Sequence, residues 1–516
     1  MRIGPALLST LSCAAFTAAQ QERPFHFEVV DQATGRGVPL VELTTVHDVT
    51  FVTDSAGIAA IGADELPELA DTSVWFHVKS HGYQLAADGF GFRGVAVTLS
   101  PGGSQRIELT RDNIAERLYR VTGAGIYRDS VRIGRRPPLA RPLANGGVLG
   151  QDSVVNAVYR GRMYWFWGDT NRANYPLGNF ATTGATSRLP ADGGLAPDVG
   201  VDLDYFVGDD GFARGMCPIQ GPGPVWIDGV AVLDHEGKQL MLCHYMRIQD
   251  LGHAYEQGYA EWHDERATFV KVSEVPVDAT LYLQGHAQRI EFDGETWLCG
   301  CNPFPIVRVR PTRADVLDPQ RYEAFTCLVA GARFDAADPK LDRDAAGALR
   351  WGWKAGTDPV TPEHWAKLVA AGHVQKGEGR GELFDAATGD AIQAHGGSIS
   401  WNAYRKQWIA IALQAFGRSA LGEVWFATAD APTGPWSRAH RIVTHDRYSF
   451  YNVTEHPEFA GDGGRLVYFE GTYTKSFSGN EHATPRYDYN QIMYRLDLAD
   501  PRLRDAPRGA GDEARR

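Results

Sequence analysis

The feature that most constrains this chain is a unit that recurs about five times between residues 146 and 500. Each copy is a strand entering from a polar or glycine loop, a turn, and an aromatic strand ending on a polar residue. The copies read DSVVNAVYRGRMYWFWGDT, VWIDGVAVLDHEGKQLMLCHYM and HAQRIEFDGETWLCGCN. Then come HGGSISWNAYRKQWIAIALQ with a third strand GEVWFATAD, and TEHPEFAGDGGRLVYFEGTYT with a closing QIMYRLDL. Degenerate reuse of hairpins at this scale predicts propeller blades, five by this count. Plentiful glycine (57) and tryptophan (13) with only 22% charged residues fit many short strands and tight turns. A helical stretch, PEHWAKLVAAG, interrupts the chain between the third and fourth copies and reads as a loop decoration.

The segment before the repeats has a different texture. Met1-Arg2-Ile3 followed by an apolar run from Ala6 to Ala19 reads as a secretory signal over residues 1–19, too short for the ~20 residues that span a bilayer. Export to the periplasm or outside is therefore expected; lipid anchoring at Cys13 is less favoured, because leucine sits one place from where a lipoprotein box wants it. Residues 24–115 alternate short strands with turn signals and predict a small β-sandwich. Residues 116–145 read as a proline-rich linker with a possible closing strand, 146–500 as the propeller, and 501–516 as a disordered tail. The fold class expected is thus all-β, a sandwich followed by a five-bladed propeller. The other five cysteines show no metal-finger spacing; Cys299 and Cys301 share a strand face and read as packed thiols, while a Cys243 and Cys327 disulfide stays open. A formal charge of −12 with dispersed Lys and Arg argues against nucleic acid as a partner and leaves neutral carbohydrate as the easier one.

In a propeller the innermost strand of each blade starts, and the second ends, on one face around the central channel. Those positions are Asp152 and Asp169, Asp228 and His244, His286 and Asn302, and His395 and Gln414. The last blade gives Glu455 or His456 at the entry and Glu470 at the exit. Glycoside hydrolysis needs one carboxylic acid and one carboxylate held at different pKa values. Asp152, Asp169, Asp228 and Glu470 are the candidates, with Asp152 as base or nucleophile and Glu470 or Asp169 as acid. His244, His286, His395, Asn302 and Gln414 are candidate substrate contacts, and Trp167, Tyr175, Tyr245, Trp401 and Tyr473 candidate stacking platforms. Plainer readings stand beside these: a turn carboxylate at Asp169, a hairpin turn at Asp228, a structural hydrogen bond at Asp152, a Glu470 and Lys475 ion pair, and structural rings for the single histidines.

At these motifs the chain resembles the five-bladed propeller glycoside hydrolases of the arabinanase, xylosidase and invertase type, through Asp152 and the outer phrase VWFATADAPTGPW. Asp152 with YWFWGDT also resembles a bacterial propeller family associated with endo-acting D-arabinan hydrolysis, in which an aromatic strand ends in Gly-Asp-Thr. That resemblance implies Asp152 and Asp169 as paired catalytic carboxylates. VPLVEL and FVTDSAGIAAI resemble the regulatory sandwich of carboxypeptidases. The entry Gln151-Asp152-Ser153 departs from the first family's Arg/Asn-Asp-Pro, and no residue matches its acid-modulating aspartate or acid glutamate. The function expected is a secreted glycoside hydrolase acting on an arabinan-like or related glycan without a required cofactor. A calcium ion in the channel is compatible with this composition, though no spacing demands it. The alternatives are a polysaccharide lyase using His244, His286, His395 or Tyr245 on a uronate, and a glycan-binding protein without turnover.

Overall fold

The structure, a computed structural model, describes residues 23–69, 72–179, 181–250 and 253–504. The expected signal segment with Cys13, and residues 505–516, lie outside the described residues.

The chain is nearly all β. Residues 25–111 form two four-stranded sheets, one ordered Ile58–Ile61, Phe25–Asp31, Ser104–Arg111, Tyr83–Gln84, the other Thr50–Val52, Glu42–Thr45, Ser73–Lys79, Gly94–Thr98. Phe27, Val29, Leu43, Phe76, Val78, Ile107 and Leu109 fill the space between them. Alternation makes this a sandwich: Ser73–Lys79 buries every second side chain.

Five antiparallel meanders follow. Blade I runs Val155–Tyr159, Arg162–Trp167, Thr183–Arg188, Asp204–Tyr205, and blade II Val225–His235, Lys238–Asp250, His253–His263, Thr268–Val275. Blade III has a fifth strand: His286–Phe292, Glu295–Cys301, Pro305–Val309, Glu323–Thr326, Gly352–Ala355. Blade IV runs Ala394–Asn402, Gln407–Gln414, Val424–Ala429, His440–Val443. Blade V runs Ser449–Glu455, Leu466–Thr474, Asn490–Asp497 and takes Glu116–Arg120 as its outer strand, with Ile492 opposite Arg120 and Arg495 opposite Glu116. The strand that leaves the sandwich therefore closes the propeller.

Each pair of neighbouring blades shares a core, and this explains the aromatic strands. Along YWFW, Trp165 and Trp167 pack toward blade V with Met163, Tyr468 and Met493. The intervening Phe166 packs toward blade II with Met241, Cys243 and Tyr245. Period-two alternation thus places apolar side chains on both faces of one strand, because both faces are covered. Further shared cores join blades II and III, III and IV, and IV and V. The five cysteines outside residues 1–22 are buried and free, so Cys299 and Cys301 are packed thiols and Cys243 is not bonded to Cys327. The interrupting helix spans Pro362–Ala370, with the Thr361 side chain accepting from His364 N–H at 3.2 Å as its cap. No helix among the described residues is long and apolar enough to cross a membrane.

Candidate active site

Blade I carries a small additional sheet of Val148–Gln151, Thr170–Arg172 and Tyr175–Asn179. Asp152 and Asp169 stand where the chain crosses between this sheet and the blade, Asp152 leaving Gln151 and Asp169 leading into Thr170. Ser153, at φ 57°, makes the turn out of Asp152 and is held by its N–H on Thr472 Oγ1 at 3.1 Å. The Gly168 N–H donates to the Asp152 carbonyl at 2.8 Å, and a β-carbon on Gly168 would stand 2.7 Å from Asp152 Oδ1. The glycine of Gly-Asp-Thr is therefore required by the carboxylate that faces it.

The two aspartates are joined through a backbone N–H, and their carboxylates are surrounded unequally. Asp152 Oδ1 accepts the Asp169 backbone N–H at 2.8 Å, and Oδ2 accepts the Tyr451 hydroxyl at 2.7 Å. The Tyr489 hydroxyl and Ser153 also bond the Asp152 carboxylate. Burial raises Asp152 above the ordinary carboxylate range, and these donors pull against that rise. Asp169, 9% exposed, receives one side-chain donor, the Trp226 indole N–H at 3.0 Å. Burial, and then the Asp152 charge, push it to about 6. The donors around Asp152 favour its anion, while Asp169 has one side-chain donor and is raised further by the Asp152 charge, an asymmetry of the kind that acid and base roles use.

Asp228 sits two residues beyond Trp226 on the same side of the innermost strand of blade II. It accepts the Gly229 N–H at 2.9 Å and the Gly285 N–H of the neighbouring blade at 2.8 Å, and burial raises it to about 6. It lies inside a strand, at a bulge, and not in a hairpin turn. His286, next to Gly285, shares a hydrogen bond with Thr454 of blade V at 3.0 Å; burial and then His456 lower it to about 4, so it is neutral near pH 7. Asp152, Asp169, Trp226 and Tyr451 thus form one hydrogen-bonded group, and Asp228 and His286 stand near the starts of the innermost strands of blades II and III.

Several expected residues fall elsewhere. Glu470 is wholly buried in mid-strand opposite Thr454, with His456 Nε2 at 3.0 Å, and not at the strand's exit, which is Thr474. Glu455 ends the innermost strand, where Ser400 donates to it at 2.8 Å, because that strand begins at Ser449. His244 is sealed under the Tyr282 ring at 4.2 Å, and burial lowers it to about 3. Trp167 is core, 0% exposed. Tyr245 is likewise buried, its hydroxyl donating to Glu256 at 2.8 Å. Tyr473 is buried against the sandwich, at 3.1 Å from His81. Trp401 lies at the opposite end of its strand from the channel entry. Gln414 accepts the Trp425 indole at 2.8 Å, and His395 faces Glu363 at 3.7 Å, so both are engaged within blade IV and its insertion. Asn302 is exposed at the blade III exit, and Tyr175, 60% exposed, lies in the additional sheet beside Asp169.

The residues missed are Trp226, Tyr451, Tyr489 and Phe477, the last 62% exposed and edge-on to Tyr451 at 6.0 Å. The polar start SFYN after a loop was the available signal for blade V. Among the described residues no group of three or more His, Cys, Asp and Glu is placed to hold a metal ion.

No family model matches the sequence, and no curated protein matches it. Among solved structures the chain is similar to a candidate hydrolase from Bacteroides ovatus, at 14% identity and TM-score 0.44, covering 71% of this chain and 90% of that one. It is similar to the exo-β-1,3-galactanase of Phanerochaete chrysosporium at 12% identity and TM-score 0.36, covering 74% and 65%. A third is the α-L-arabinanase of Cellvibrio cellulosa, at 10% identity and TM-score 0.33, covering 67% and 91%. Likeness at this level assigns no residue a role, so the roles rest on the geometry above.

Tyr451 supplies the first test of that geometry. Tyr451→Phe removes a donor that favours ionised Asp152, so the Asp152 pKa rises and the acidic limb of any pH–activity profile moves up by about one unit. An unmoved limb, with the protein folded, would remove Tyr451 from the tuning of Asp152.

Proposed function

We propose that this chain is an exported glycoside hydrolase in which Asp152 is the base or nucleophile and Asp169 the general acid. The observation that carries the reading is two neighbouring aspartates with unequal surroundings: the Asp152 carboxylate accepts the Asp169 backbone N–H and the Tyr451 hydroxyl, whereas the Asp169 carboxylate accepts a single indole N–H at 3.0 Å. Asp152 would meet the sugar carbon or a water as an anion. Asp169, held near 6 by burial and by the Asp152 charge, would give its proton to the leaving oxygen. Trp226 orients that acid, and Phe477 and Tyr175 offer exposed rings to sugar faces. An arabinan-like glycan is the substrate class suggested by the Gly-Asp-Thr resemblance. The test is a screen of purified protein on arabinans, xylans, fructans and uronate-rich polysaccharides, following reducing ends and ultraviolet absorbance together. Reducing ends alone support hydrolysis, an unsaturated product identifies a lyase, and binding without turnover identifies a lectin-like protein.

Asp169→Asn separates the acid role from the base role. An aryl glycoside leaves without protonation, so the variant keeps turnover on 4-nitrophenyl substrates while losing about 10²-fold or more on the natural glycan. Its stability moves the other way. Asp169 titrates at about 6 folded against an ordinary 3.8, so the native state binds more protons between those values and loses stability as pH rises through them. Asn removes that loss, and the variant is expected to melt higher than wild type at neutral pH. Equal losses on both substrates would argue against the acid role.

A further inference from the structure

The insertion after blade III encloses a cavity of about 330 Å³ against blades III and IV. Aromatic rings form much of its wall: Phe304 from blade III, Phe325 and Trp351 stacked at 5.6 Å, and Trp365 of the Pro362–Ala370 helix, 5.7 Å from Trp351. Among the described residues Lys376 and Glu382 are the charged lining residues, and Glu382 is already engaged by the Gly377 and Gly379 N–H groups at 2.7 and 2.8 Å. The other polar lining groups are Asn302, Thr361, Gln393, Thr433 and the unpartnered Trp365 indole N–H, so the wall is mostly apolar and aromatic, which suits a flat apolar ring carrying a few polar atoms.

The cavity lies where the second strand of blade III ends and the innermost strand of blade IV, Ala394–Asn402, begins. Asn302 lines it, and Asn302 Oδ1 lies 3.1 Å from where a β-carbon would stand on Gly396 at the blade IV entry. The residue before Asn302, Cys301, is paired with His286. The cavity therefore stands beside the strand ends of blades III and IV that carry His286 and Gly396. A cavity of a few hundred Å³ with apolar walls and a polar mouth is the usual form of a small-ligand site.

We propose that this cavity is a binding site for an aromatic ring, specifically an aryl substituent carried on the glycan as an ester or aglycone. Only the word glycan rests on the function proposed above; the aryl site stands on its own lining. Methyl ferulate is the probe, titrated into the full chain by calorimetry and by quenching of tryptophan fluorescence, which Trp351 and Trp365 report. Both wild type and Asp152→Asn are expected to saturate, because binding needs no turnover and so succeeds or fails independently of hydrolysis. Ala366, on the cavity side of the helix, gives the variant: Ala366→Phe fills the space and should weaken binding by about tenfold or more. Should that variant melt below wild type, Ala370→Phe fills the same cavity from the helix end and decides. Methyl hexanoate, of comparable apolarity without a ring, should not saturate. Absence of saturation by methyl ferulate, equal affinity in the cavity-filled variant, or equal binding of methyl hexanoate would each overturn the proposal.

Discussion

Replacing Asp152 by asparagine is expected to lower glycan turnover by about 10²–10⁴-fold while the protein remains folded. The side chain keeps its size, so the turn at Ser153 and the packing against Gly168 persist. What disappears is the anion, and with it one acceptor, since the amide nitrogen that replaces one oxygen is a donor and accepts neither the Asp169 N–H nor the Tyr451 hydroxyl now held at 2.8 and 2.7 Å. The loss should fall on kcat more than on KM, because the charge acts on the reacting carbon or water and not on remote sugars. A second signature is electrostatic: Asp169 is held up partly by the Asp152 charge, so its titration should move down when that charge is removed. Full activity in the variant would take Asp152 out of the mechanism.

The second large effect concerns Arg117, in the strand that closes the propeller. Its guanidinium is 1% exposed and meets no carboxylate; it donates to the Pro39 carbonyl at 3.1 Å, the His81 carbonyl at 3.1 Å, the Leu40 carbonyl at 3.3 Å and the Ser80 hydroxyl. The side chain thus ties the closing strand of blade V to the sandwich. Arg117→Met leaves these acceptors buried and unpaired, a cost of about 3–5 kcal/mol. The expected result is a large fall in melting temperature, with faster hydrogen exchange in residues 490–497, the strand paired to 116–120. It also follows that removing residues 1–115 deletes His81, uncovers the buried Tyr473 that it contacts, and should yield no stable propeller. A melting temperature within a few degrees of wild type would show that the sandwich is merely appended.

The sequence made the hairpins and the first-blade carboxylates legible for a physical reason: blades I to III join their strands by tight turns, so strand ends can be counted from Gly161, Gly237 and Gly294. Blade V breaks the pattern. Its hairpin is connected by Pro457–Phe459 and Asp462–Gly464, two short 3₁₀ turns, so the innermost strand ends where the sequence suggested it began. That displacement is why Glu455 and Glu470 were expected in the channel and Tyr451 was not. The aromatic platforms failed for a different reason. Trp167, Tyr245 and Tyr473 lie in strands covered on both faces, where alternation no longer separates buried from exposed side chains. The tyrosine partners of Asp152, Tyr451 and Tyr489, lie about 300 or more positions away in the sequence, a proximity that only ring closure creates.

The pH dependence of kcat/KM on a hydrolysed glycan tests the central claim most directly, because it reads the protonation states assigned to Asp152 and Asp169. The account predicts a bell whose alkaline limb lies near 6, the value of Asp169, and which vanishes in Asp169→Asn assayed on an aryl glycoside. A wild-type profile still rising above about pH 7, or an alkaline limb that survives in Asp169→Asn, would contradict it.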